Sequence, residues 1–286
     1  MTLSRRHFSR SLPLPCCSGG MEKLLVFGDD ASGGADTAWE WVCAQEWTGW
    51  RVEVLSIQPL SKTIPMAQPA RSWQPEHPRL APPATRISSV EYLVADGKPQ
   101  EVLSAVHADL VVVGPRGAGI RKKMHLGSVA EALILSPNSP VIIARGNSTV
   151  KNVTLAVDGS THAATAMKFL GSMPWISSVH VSVIAIDEGD GLGAQATRVA
   201  DKYFEDLGVA VKTVVKIPHE LDLTINVCRD LDEFIANNPC DLVAMGTQGL
   251  RGVNRLKIGS VASHVAHHVG CSILLARDQS LSSVFP

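Results

Sequence analysis

Short apolar runs recur along this chain, and stretches of helical periodicity separate most of them. In the first part, Lys23-Leu-Leu-Val-Phe27 reads as a buried strand ending at Gly28-Asp-Asp30. A helical pattern follows from Ala35 to about Trp47, with Ala38, Trp41, Val42 and Ala44 apolar, so Trp39, Trp41 and Trp47 are expected to pack at helix faces. Residues 51–57 alternate like a strand, and residues 58–86 are proline-rich and aperiodic, which predicts a long loop. Another strand is expected at 87–95 and a short helix from Pro99, since proline suits a first turn. A strand at 108–113, a helix from Ser128 to about Leu135 and a strand at 141–144 complete the set. The second part repeats the order more regularly. Strands are predicted at 152–157, 180–186, 209–217, 241–245 and 272–276. Helices are predicted near 163–170, 194–207, 221–237 and 260–269. Alternating strands and helices with short apolar strands imply parallel sheets with helices on both faces. A polar junction lies near 145–151, giving units of 21–147 and 148–286 after a tail of 1–20.

A glycine spacing appears once in each unit. Gly114-Pro-Arg-Gly117, nine residues, then Gly127-Ser128 follows Leu110–Val113. Gly246-Thr-Gln-Gly249, nine residues, then Gly259-Ser260 follows Leu242–Met245. The copies lie 132 residues apart, which marks a duplicated domain instead of a short-period repeat. Both first strands end in an aspartate followed by x-Ser: Asp30-Ala-Ser32 and Asp158-Gly-Ser160. In a doubly wound sheet, ligands sit at the carboxyl ends of the strands where the winding reverses. The first and fourth strands should be neighbours there, so Asp30 should face the Gly114 loop and Asp158 the Gly246 loop.

That arrangement is the chemistry of a nucleotide pocket. Glycines at the strand end are expected to turn with positive φ and to let phosphate approach the backbone. The Gly-Ser pair opens a helix, whose free amides and positive dipole end face an anion. Ser128 or Ser260 is expected as the N-cap of an empty site and as a donor to phosphate in a filled one. The aspartates can accept from a ribose hydroxyl or an adenine amine.

With these residues in place the chain resembles a tandem universal stress protein, over essentially all of 21–277. The resemblance rests on the doubled glycine motif, the Asp-x-Ser after each first strand, and the endings Pro140-Val-Ile-Ile-Ala144 and Ser272-Ile-Leu-Leu-Ala276. It implies two five-stranded parallel α/β (Rossmann-like) domains and, in the motif-bearing branch, ATP binding, with or without Mg2+. Carried over by position, Asp30 and Ile57 in one half, and Asp158 and Ala185 in the other, would hold adenine and ribose. Gly114, Gly117, Gly127 and Ser128, and likewise Gly246, Gly249, Gly259 and Ser260, would hold phosphates. The halves would pair within the chain through their last strands, and a homodimer of chains stays open. The first half departs from the pattern at its proline-rich loop, its short third helix and Pro115, so the second site is the better preserved.

Composition narrows the alternatives. Lys and Arg number 26 against 27 Asp and Glu, for a net charge of −1, which argues against a protein that binds nucleic acid by neutralising phosphates. No apolar run approaches the roughly 18 residues that span a bilayer. Ser4-Arg5-Arg6-His7-Phe8 looks like a twin-arginine export motif, but Ser11-Leu-Pro-Leu-Pro-Cys-Cys17 is too short an apolar region. Residues 1–20 are therefore expected to be dispensable, with a cytoplasmic location and no strand upstream of Met21. The cysteines, Cys16, Cys17, Cys43, Cys228, Cys240 and Cys271, are scattered, and buried reduced thiols are the simplest expectation.

Three other groups merit weighing. Ser32-Gly-Gly-Ala-Asp36-Thr37 resembles the pyrophosphate loop of AMP-forming ligases, an enzymatic alternative. The aligned Ser160-Thr-His-Ala-Ala-Thr165 lacks the glycines. His264 and His268, four apart on a helix, could share a metal, but no acid stands between them, and a solvated helix face is the favoured expectation. Arg121-Lys122-Lys123 and His125 could reach a γ-phosphate or simply be solvated. No nucleophile, base and orienter occur together, so any ATP hydrolysis should be slow.

Overall fold

The computed structural model describes residues 22–58, 79, 87–117, 126–135, 138–146, 148–187, 189–217, 223–250 and 258–278, with the backbone alone at 4–5 and 223–226. The expected loop at 58–86, apart from Gln58 and Arg79, and the basic run 121–125 lie outside these residues.

The first half contains β2 (Lys23–Asp29), α1 (Gly33–Ala44), β3 (Trp47–Gln58), β4 (Ile87–Asp96), α2 (Pro99–Ser104), β5 (Leu110–Val113), α3 (Ser128–Leu135) and β6 (Val141–Ile143). The second contains β7 (Asn152–Ala156), α4 (Thr161–Gly171), β8 (His180–Ile186), α5 (Leu192–Asp206), β9 (Val211–Lys216), α6 (Leu223–Asn237), β10 (Leu242–Gly246), α7 (Ser260–His268) and β11 (Ser272–Ala276). A two-residue strand β1 (Ser4–Arg5) pairs in parallel with β4, so a strand does lie upstream of Met21. The helix expected to reach Trp47 stops at Ala44. Trp47 starts β3 instead, where its ring meets Trp41 and Trp50 edge-on and its Nε1–H donates to the Val42 carbonyl at 2.8 Å.

All strands join one sheet in the order β1-β4-β3-β2-β5-β6-β11-β10-β7-β8-β9. Each half winds outward in both directions from its first strand. β2 lies between β3 and β5, and β7 between β8 and β10, all parallel. The exception is the seam, where β6 and β11 run antiparallel with Ile143 opposite Ile273 and Val141 opposite Leu275. Pairing the two last strands removes two apolar edges that would otherwise be exposed. The expected pairing of the halves within one chain is therefore present in the backbone.

Alternation along the strands sends side chains to two separate cores. Leu25 and Phe27 pack with α1, α4 and α5 on one face. Val26, Val111 and Val113 pack with α2, α3, α6 and α7 on the other. The inner strands β5, β10 and β11 are buried at every position, which explains their unbroken apolar sequences.

Candidate functional site

In the second half, Asp158 stands just past β7. Its Oδ1 accepts the Ser160 amide at 2.9 Å and its Oδ2 the Leu250 amide at 3.0 Å. Between them Gly159 turns left-handed at φ +84°, a conformation that glycine adopts without strain. The same position in the first half is Ala31 at φ 57°, which an L-residue enters at a cost of about 1 kcal/mol. Ser160 caps α4. Its hydroxyl accepts the Ala163 amide at 3.1 Å and donates to the Gln248 carbonyl at 3.2 Å, tying the helix start to the glycine loop. Asp158 and Ser160 therefore do face the Gly246 loop.

The loop closes on itself. The Gly259 amide donates to the Thr247 carbonyl at 2.7 Å, and the Thr247 amide to Ala276 at 3.0 Å. Gly259 is the N-cap residue of α7, in extended geometry and with no side-chain bond, and Ser260 is the first helical residue. The expectation that Ser260 caps the helix is thus corrected. Among the described residues no hydroxyl or carboxylate caps this end, so the first-turn amides keep their capacity to bind an anion.

Close approach, not positive φ, explains the strand-end glycines Gly114, Gly117, Gly246 and Gly249, which is a second correction. None of Gly114, Gly117, Gly127, Gly246, Gly249 or Gly259 has positive φ. A Cβ on Gly246 would lie 2.6 Å from the Ala163 nitrogen, and one on Gly249 2.6 Å from Asp158 Oδ2. Gly117 carries the same contact with Asp30 in the first half. The glycines let the fourth strand and its loop press against the first helix and its aspartate.

These elements enclose a cavity of about 540 Å³. Ala156, Ile184, Ile186, Val227, Leu231 and Met245 supply apolar wall. Asp158, Ser160, Gln248, Gly249, Gly259 and Ser260 supply the polar end. Size and lining match a small-molecule site, with a few convergent polar groups on an apolar floor. Ala185 is not part of it. It points to the opposite core, while Ile184 and Ile186 flank the cavity. Strand pairing shows why: Gly28 lies opposite Leu55, whereas Ala156, its counterpart, lies opposite Ile184. The second strands are offset by one residue more than the first, and a one-residue slip turns a side chain to the other face. Ile57 corresponds to Ile186 and packs on the cavity-side core.

The first half preserves the loop bonds. Gly127 donates to the Pro115 carbonyl at 2.8 Å, Asp30 Oδ1 accepts the Ser32 amide at 3.1 Å, and Ser32 caps α1 through Ala35. Ser128 again opens a helix as its first residue. The floor differs. Leu103 and Val113 approach within 3.0 Å of a Cβ built on Gly28, where Ala156 lines the second cavity. Asp29 is clamped by Arg79, Nη2 to Oδ1 at 2.6 Å and Nε to Oδ2 at 3.0 Å, and Arg79 also pairs with Asp36. Gly33 to Thr37, the ligase-like stretch, lies within α1. The Asp36 amide bonds the Ser32 carbonyl at 2.9 Å, and the Arg116 carbonyl occupies the space beside Gly34.

The histidines are not simply solvated. His264 Nε2 contacts Asp232 at 2.6 Å, and His267 Nε2 contacts Glu131 across the seam at 3.0 Å. The His264 and His268 rings stack at 4.2 Å. Among the described residues no group of three or more metal-ligating side chains gathers.

Residues 21–145 and 149–277 each match the universal stress protein family. The chain belongs to that family. It is 23% identical to Universal stress protein Slr1230 of Synechocystis over 59% of this chain, and spans 58% of that relative's length. It is 26% identical to Universal stress protein MJ0531 of Methanocaldococcus jannaschii over 48% of this chain and 87% of that protein. A universal stress protein structure from Archaeoglobus fulgidus superimposes with a TM-score of 0.62 at 20% identity, covering 90% of this chain and 98% of that one. Its likeness extends across both halves and supports the same fold. Among the described residues no helix of this universal stress protein is long and apolar enough to cross a membrane.

Proposed function

We propose that the second-half cavity binds an adenine nucleotide, with ATP as the expected ligand, and that the protein acts in the cytoplasm as a regulatory or protective stress protein. The observation that carries this reading is the start of α7, uncapped among the described residues, at the polar end of an apolar cavity, with Asp158 held opposite by two backbone amides. Adenine fits between Ile184, Ile186 and Leu231, ribose beside Asp158, and phosphates at Gly249, Gly259 and Ser260. Mg2+ would accompany the phosphates in solvent. Gly114, Gly117, Gly127 and Ser128 form the weaker, first-half counterpart, with Asp30 and Ile57 at its strand ends.

Among the described residues the site places no general base beside a nucleophile, which supports hydrolysis that is slow at most. Ligase chemistry at Ser32–Thr37 is disfavoured because the Ala35 amide is held by the Ser32 hydroxyl, the Asp36 amide by the Ser32 carbonyl, and the Arg116 carbonyl stands beside Gly34. Mass spectrometry of small molecules released from the purified chain tests the proposal. Adenine nucleotide supports it. Pyrophosphate release from ATP with a carboxylate or amine substrate replaces it with the ligase.

A further inference from the structure

Cys240 and Cys271 enter neighbouring parallel strands, β10 and β11, where Leu242 lies opposite Ser272. Their Sγ atoms are 3.8 Å apart and both residues are half-buried. They share a cavity of about 450 Å³ whose other walls include Trp41, Arg145, Asp241 and Gly270. By this register Cys240 lies diagonal to Cys271, one residue along the strand, about 6 Å away from a spacing of about 4.8 Å and a rise of about 3.3 Å, within the roughly 4.4–6.8 Å that disulfides span. The sulfurs, now 3.8 Å apart, close to about 2.05 Å on bonding.

The duplicated fold carries its own control. At the equivalent corner of the first half stand Ala108 and Ser139. Ser139 Oγ accepts the Ala108 amide at 3.0 Å and donates to the Val106 carbonyl at 3.3 Å. The corner thus closes without sulfur, and the fold does not require two thiols there. The geometry points to Cys240 and Cys271 as a reversible dithiol–disulfide couple, oxidised by a small peroxide that enters through the shared cavity.

The two thiols have unequal roles. Either sulfur can donate in this contact; with Cys271 as the donor, the Cys240 thiol is drawn down to about 7, against burial and the nearby Asp241 carboxylate. The same bond and burial push Cys271 up, and the Arg145 guanidinium opposes that rise. Arg145 is itself fixed to the Cys271 carbonyl at 3.1 Å. Cys240 is accordingly the attacking thiolate and Cys271 the resolving thiol. The Cys240 thiolate attacks one peroxide oxygen and the O–O bond breaks. Hydroxide leaves and takes up a proton as water, giving the Cys240 sulfenic acid. Cys271 loses its proton, its sulfur attacks the Cys240 sulfur, and the second hydroxide leaves as water. Two thiols are oxidised to one disulfide while one hydrogen peroxide is reduced to two waters. By contrast, Cys43 is held at about 11, chiefly by burial, and Cys228 is also raised by burial.

The test is non-reducing peptide mapping of the full chain after equimolar hydrogen peroxide at pH 7. The expected product is a Cys240–Cys271 cross-linked peptide, lighter by two hydrogens and reversed by dithiothreitol. In Cys271→Ser, Cys240 should trap dimedone at roughly ten times the level of Cys43. In Cys240→Ser, Cys271 should stay reduced at the same dose. Circular dichroism confirms folding of each variant, and the unaltered chain alone decides if either fails to fold. Recovery of both cysteines as thiols in the unaltered chain, or oxidation of Cys43 and Cys228 to the same extent, overturns the couple and leaves both cysteines as packing groups.

Discussion

Replacing Ser160 with alanine should cost about twice as much stability as replacing Ser32, although both serines cap the first helix of their half. Ser32 Oγ accepts one amide, that of Ala35 at 3.2 Å, and among the described residues it makes no bond to the glycine loop. Losing such a cap costs about 1 kcal/mol. Ser160 is 5% exposed and makes two bonds, from the Ala163 amide and to the Gln248 carbonyl. Its removal forfeits both the cap and the hydroxyl's own bond to the Gln248 carbonyl, an additional cost of about 1 kcal/mol. The expected loss is about 2 kcal/mol, or a fall in melting temperature of roughly 4–8 °C. Urea unfolding of the three chains, at unchanged slope, measures the difference. Because Ser160 fastens α4 to the loop at 247–250, nucleotide affinity should fall in Ser160→Ala and hold in Ser32→Ala. Equal destabilisation by the two substitutions would refute the claim that the hydroxyl couples helix to loop.

Gly246→Ala should destabilise by about 1–3 kcal/mol, because its Cβ meets helix backbone at 2.6 Å; Gly259→Ala, with nearest neighbours at 3.4 Å, should fold with a loss under about 1 kcal/mol. Comparable losses in thermal melts would contradict this. His162 accepts the Asp278 amide through Nδ1 at 2.9 Å, and burial, aided by the Arg277 charge, lowers its pKa. The neutral form is thus favoured on folding, and its contribution is intact above the ordinary value of about 6.5 and lost as pH falls through the lower folded value. Melts across that window should show a decline that His162→Asn flattens; an unchanged slope would reject the assignment. Residues 149–286 expressed alone should self-associate, since Ile273, Leu274 and Leu275 on β11 lose their β6 partner. A stable monomer by size exclusion would show that the seam is dispensable.

Much of this was legible in sequence because the inner strands are buried on both faces. Leu110–Val113 and Leu242–Met245 are continuous apolar runs, and the doubled glycine spacing located the switch points. What escaped depended on neighbours across the sheet. Ala185 sits one residue from the cavity wall because β8 is offset by 129 from β3, while β7 is offset by 128 from β2, a difference that pairing alone reveals. Trp47 fits a helical period, yet it opens β3, where its ring lies between Trp41 of α1 and Trp50 of its own strand. Cys240 and Cys271, thirty-one residues apart, meet because parallel pairing aligns the entrances of β10 and β11. The strand-end glycines of the motif carried the right position and a different reason, close packing against the first helix and aspartate.

Nucleotide binding in the second half is tested most directly by calorimetric titration of ATP into the full chain and into Ala156→Phe. That substitution places a ring in the apolar end of the cavity and leaves the glycine loop intact. Saturable binding by the unaltered chain, with its second-half component abolished in Ala156→Phe at a similar melting temperature, is the predicted result. Absence of binding to the unaltered chain, or identical isotherms for the two proteins, would contradict it.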